Sequence, residues 1–108
     1  MFQFNNNIYN IQMNQFSNPL NLKVVKYKGF DNEMIDYSIN IINKAFSLMN
    51  DFVQRAKYVT ESFNSKYPEK TYWNCMIYLS KSSGGWIYSN KNIIFSMKDY
   101  YILIFLAK

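Results

Sequence analysis

A chain of 108 residues, nearly half of them apolar, has the material for one modest core and not for two independent ones. It contains no histidine and one cysteine, Cys75, which excludes an intramolecular disulfide, a histidine-based triad and a zinc site built on His or several Cys. The formal charge of +5 is carried by basic residues scattered singly along the chain, so it reads as a solvated surface and not as a nucleic-acid stripe.

Residues 1 to 21, "MFQFNNNIYNIQMNQFSNPLN", are rich in Asn and Gln, carry no charged side chain, and hold no steady helix or strand period over their length. They are read as a disordered or loosely attached extension, with 22 to 108 as the folded domain. The extension is taken as a tail, the alternatives being an occupant of the domain's own groove and a functionally idle appendage. It lacks the basic start and apolar core of a signal peptide.

"LKVVKYK" (Leu22 to Lys28) is a short strand whose lysines suit a sheet edge or an exposed face, closed by Gly29. Asp31 is placed to cap a helix carrying apolar residues at Ile35, Ile39, Ile42, Phe46 and Met49. A second stripe through Met34, Ile41, Ala45 and Leu48 implies cover on more than one side. Asn50 and Asp51 break that helix and cap the next, which buries Phe52, Ala56, Val59, Phe63 and Tyr67 on one face and stops at Pro68. Two helices so joined form a hairpin that can lie on a sheet.

The sheet follows. "YWNCMIYL" (Tyr72 to Leu79) is a strand, "SKSSGG" a flexible connection, "WIYS" a short strand, "NKN" a turn, "IIFSM" a strand, Lys98 and Asp99 a turn, and "YYILIFL" the last strand. That last apolar run is far shorter than the ~20 residues a membrane helix needs. The order is β-α-α-β-β-β-β, an α+β fold with an antiparallel sheet under a helical hairpin. Trp73, Cys75, Ile77 and Leu79 face one way and Tyr72, Asn74, Met76 and Tyr78 the other, and neither side is built for water. The hairpin covers one face. A second copy, stacked sheet on sheet in a two-fold dimer, is the economical cover for the other.

These residues resemble the small dynein light chains, dimeric hub proteins. The resemblance runs from about Leu22 to Lys108 and rests on the element order, on Glu33-Met34 early in the first helix, and on "FNSKYPEKTYWNCMI", similar to a family stretch in which an F-x-x-K-Y helix end leads into a Trp-x-Cys strand. Gly84 before the next strand and the apolar C-terminal strand ending in Lys add to it. The resemblance implies a strand-swapped homodimer in which the strand after Gly84 pairs with the partner's sheet and offers a free edge to extended client peptides, such as that of the dynein intermediate chain. It also implies a cytoplasmic, cytoskeleton-associated protein linked to microtubules through the motor, with no cofactor, no membrane and no nucleic acid.

Carried over residue by residue, the docking edge is Gly84, Gly85, Trp86, Ile87, Tyr88 and Ser89. Tyr88 stands where the family has Thr, and Ser89 where it has His. Phe52 and Val53 replace a groove Glu and Lys, and the groove floor is Phe95, Met97 and Ile102. The dimer interface implied is Trp73, Asn74, Cys75, Trp86 and Ile87, with Asn74 at the position of a family His whose protonation loosens the dimer. The Ser-Gly ending of the family is missing after Lys108.

Catalysis finds no support: there is no G-x-S-x-G and no glycine-rich loop followed by Lys, and "SSGG" reads as a flexible connection. Asp36, Asp51 and Glu61 are assigned to solvation and capping, and Cys75 to packing. Two other classes stand beside the hub. One is a single-stranded nucleic-acid platform of Trp86, Tyr88 and Lys91. The other is a purely structural dimeric motor subunit whose altered pocket has lost peptide binding.

Overall fold

In the computed structural model, which describes residues 18–79 and 89–107, both aspartates expected to start helices do so. Asp31 Oδ1 accepts from the Met34 amide at 2.8 Å and opens α1 (Asn32–Leu48); Asp51 Oδ1 accepts from the Gln54 amide at 2.8 Å and opens α2 (Phe52–Lys66). Each side chain satisfies an amide that has no partner within its own helix. The second helix stops because Pro68 has no N–H to extend it, and the Tyr67 amide closes the last turn on the Phe63 carbonyl at 2.8 Å.

The strands are β1 (Lys23–Lys28), β2 (Trp73–Leu79), β3 (Asn92–Met97) and β4 (Tyr100–Leu106), joined in one antiparallel sheet of order β1-β3-β4-β2. The expected α+β architecture with a helical hairpin on one face is therefore present. The expected short strand "WIYS" falls at Trp86 to Tyr88, outside the described residues, and Ser89 lies in the approach to β3. As its lysines suggest, β1 is an edge strand, and it carries a register shift between Val24 and Lys26.

The core lies between the helices and the inward face of the sheet. Both stripes of α1 are used: Met34, Ile35, Ile39, Ile41, Ile42 and Ala45 are all buried. They meet Val59 and Phe63 of α2, Trp73 of β2, Ile93 and Phe95 of β3, and Ile102 and Ile104 of β4. The Phe63 ring sits among Phe30, Tyr37, Tyr67 and Trp73, at centroid distances of 5.9, 5.3, 5.6 and 5.2 Å. Trp73 keeps its polar end satisfied by donating Nε1–H to the Tyr67 carbonyl at 2.7 Å.

Residues 18–21, which composition groups with the N-terminal extension, are tied to this body. The buried Asn43 of α1 accepts from the Leu20 amide at 3.0 Å and donates to Asn18 Oδ1 at 3.0 Å and to the Ile39 carbonyl at 2.9 Å. Asn18 in turn bonds both the amide and the carbonyl of Leu22, which is buried. The clasp brings Pro19, Leu20 and Asn21 beside Met97 and Lys98 at the β3–β4 turn, around a recess of about 370 Å³. The rest of the extension, residues 1–17, lies outside the described residues.

Candidate strand-docking edge

In the sheet order, β2 is the second edge, and α2 runs along it in the opposite direction. Thr60 and Asn64 stand one helical turn apart on the stripe of α2 that faces this edge. Asn64 takes both backbone groups of Trp73, accepting from its N–H at 2.8 Å and donating to its C=O at 3.2 Å, and Thr60 Oγ1 accepts from the Cys75 amide at 3.0 Å. Side chains of the helix thus stand in for a neighbouring strand along the first half of β2.

The second half is different. Backbone groups of a strand point outward at every second residue, so the set that begins at Trp73 and Cys75 continues at Ile77 and Leu79. For these two, the described residues supply no partner on the outward side. The stripe of α2 that carries Thr60 and Asn64 continues to Val53, seven residues before Thr60. Helix and strand ends are level there: Phe52 stacks on Tyr100 at 4.7 Å, and Tyr100 pairs with Leu79. Val53 is 77% exposed and Leu79 52%, two apolar flanks beside peptide groups that have no partner among the described residues. Such a slot accepts a short extended segment through its backbone and favours apolar side chains next to it.

The outward face of the sheet is the other apolar surface. Lys26, Ile94, Leu103 and Met76 form one cross-strand row, and Ser96, Tyr101 and Tyr78 lie in the next. Ile94 and Leu103 are buried yet stand outside the cluster under the helices, and Met76 is 45% exposed. Tyr78 and Tyr101 stack across the strands at 5.7 Å.

Of the residues singled out on sequence, Gly84, Gly85, Trp86, Ile87 and Tyr88 lie outside the described residues. Ser89 is buried in the turn before β3, its hydroxyl donating toward the carbonyls of Leu106 at 2.6 Å and Lys91 at 2.9 Å. Phe52 spends its ring on Phe46 and Tyr100, beneath the Arg55 guanidinium. Phe95 and Ile102 are a cross-strand pair inside the core, and Met97 borders the recess beside Leu20. Trp73 and Cys75 turn toward the helices; of the three interface residues expected in β2, Asn74 alone points the other way. Burial pushes the Cys75 thiol up to about 12, which makes it a packing group and not a nucleophile. Thr60 and Asn64 carry no sequence signal of this role, since a polar residue on a helix reads the same whether it caps an edge or meets solvent.

Two further features lie on the helices. An open recess of about 540 Å³ between α1 and α2 is bordered by Tyr37, Tyr58 and Lys66, whose ammonium stands 5.7 Å from the Tyr37 ring. Tyr67 has its hydroxyl buried without a partner among the described residues and is pushed up to about 12 by burial, with Glu33 and Asp31 adding to the shift. No three His, Cys, Asp or Glu side chains come together among the described residues as a metal site would require, and no described helix is long and apolar enough to cross a membrane.

One N-terminal strand, a helical hairpin and a four-stranded antiparallel sheet define an α+β domain. Its fold is dynein light chain-like. The chain is similar to the dynein light chain-like domain of the Fasciola hepatica calcium binding protein FhCaBP2, with a TM-score of 0.63 over 81% of this chain and 92% of that one. The two are 11% identical, so the likeness is one of fold. No protein-family model and no curated protein matches the chain.

Proposed function

We propose that the protein is a non-catalytic hub of dynein light chain type. It forms a homodimer and holds disordered client peptides, among them the dynein intermediate chain, by strand addition along Gly84 to Ser89, in the cytoplasm and on the microtubule motor. The observation that carries this reading is the second apolar face of the sheet. Met76, Tyr78, Tyr101 and Phe105 lie beside the buried Ile94 and Leu103 on the side away from the helices, and a second sheet packed there removes the first four, still part-exposed, from water. Asn74, Met76 and Tyr78 give β2 its contact side chains in that dimer, while Trp73 and Cys75 support it from within. With no histidine in the chain, the dimer mass stays constant through pH 5.

The test is an NMR titration of the labelled protein with a peptide carrying a Thr-Gln-Thr core, run alongside sedimentation. A dimer with shifts concentrated at Gly84 to Ser89 supports the hub. A dimer without shifts makes it a structural subunit that has lost this client, and a monomer sinks the reading.

A further inference from the structure

We propose that the N-terminal segment Tyr9 to Asn14 docks in cis on the open half of the β2 edge, at Ile77 and Leu79. Three observations converge on this occupant. The first is the edge itself: two residues' worth of outward peptide groups without a partner among the described residues, flanked by the exposed Val53 and Leu79 and closed off beyond Cys75 by Thr60 and Asn64. It has room for a short strand only.

The second is where the chain leaves the described body. The Asn18–Asn43 clasp holds Pro19 to Asn21 against Met97 and Lys98. Met97 pairs with Tyr100 and Tyr100 with Leu79, so the exit lies at the open end of β2 and not at its capped end. At the usual spacing between strands, a segment added outside β2 runs on the order of 15 Å from Met97. Seven residues separate Asn18 from Ile11, a reach of roughly 23 Å in extended chain. A segment entering there lies parallel to β2.

The third is the segment's sequence. Although residues 1–21 keep no period as a whole, Tyr9-Asn10-Ile11-Gln12-Met13-Asn14 alternates apolar and polar at every step, with no charge, Pro or Gly. An uncharged alternating segment satisfies an edge without burying a charge, and Tyr9, Ile11 and Met13 fall on one side, available to cover Val53 and Leu79. The other edge is a poorer host: β1 carries Lys23, Lys26 and Lys28 and a bulge, both of which oppose strand addition.

Docking stands on the edge alone. Its regulatory consequence rests on the hub reading: the segment competes with any strand that a second copy lays along β2, so it weakens self-association.

The experiment places a nitroxide on Gln12→Cys in the full chain, with the half-buried Cys75 replaced by alanine so that one thiol remains, and measures amide intensities. Docking in cis removes most of the intensity at Ile77 and Leu79, spares the β1 amides, and is reversed by adding Ile11→Pro. Intensities unchanged at Ile77 and Leu79 overturn the proposal. So does broadening that appears only on mixing nitroxide-bearing chains with separate isotope-labelled ones, which would put the segment on a second copy. Sedimentation of the same samples reads the hub separately: a monomer with and without Ile11→Pro sinks the hub and leaves the docking result intact.

Discussion

Replacing Asn64 by alanine tests whether α2 closes the β2 edge. The substitution deletes the bonds to the Trp73 amide and carbonyl, 2.8 and 3.2 Å long and partly shielded from water. Two such bonds contribute about 2 kcal/mol together. Alanine returns roughly 0.5 kcal/mol through its better helix propensity. The expected net loss of ~1.5 kcal/mol lowers the melting temperature of a domain this size by roughly 6–12 °C. Thr60→Val keeps the shape and the branching at Cβ, loses only the 3.0 Å bond from the Cys75 amide, and is expected to cost about 1 kcal/mol. The assay is urea unfolding followed by tryptophan fluorescence at equal protomer concentration, because self-association would add to apparent stability. Amide exchange supplies a local readout: Trp73 exchanges faster in Asn64→Ala while Ile77 is unchanged. A neutral or stabilising Asn64→Ala would mean that water replaces the side chain without loss, and α2 would then not hold the edge.

Phe63→Ala empties the centre of the aromatic cluster, since Phe63 is fully buried, and is expected to cost about 3–5 kcal/mol in the same assay. Gly29→Ala forces a side chain onto a backbone at φ +72°, with its Cβ 2.7 Å from the Asn90 carbonyl oxygen; the left-handed conformation alone costs roughly 1–2 kcal/mol and the contact adds to it. Asp36→Asn is expected to stabilise. Burial raises the Asp36 carboxyl above its ordinary value of 3.8 and leaves Oδ1 without a partner among the described residues, so the fold disfavours the charged form. That penalty is absent below the ordinary value and grows as pH rises through the raised one. Thermal melts should therefore show the variant ahead of the parent at pH 7 and level with it near pH 3.

Much of this protein is written in local patterns. Asp31 and Asp51 announce their helices because a cap is a contact between residues three apart, and the stripes from Met34 to Met49 announce burial because helix period depends on nothing outside the helix. The strands without polar alternation announce a sheet wanted on both faces, and with the helix order that is enough for the fold class. The carried-over groove floor shows where this kind of reading stops. Alternation groups Ile93, Phe95 and Met97 on one face of β3, but which face meets the helices is settled by pairing with β4, and that pairing turns Phe95 and Ile102 into the core.

The edge is harder still. Nothing near Thr60 or Asn64 in the chain says that they replace a strand, and nothing near Val53 says that it stands beside the end of β2. Local chemistry determined the elements, their caps and their apolar faces. Only the tertiary structure decided which backbone groups of β2 the side chains of α2 close, because that depends on how far a helix from one part of the chain reaches along a strand from another.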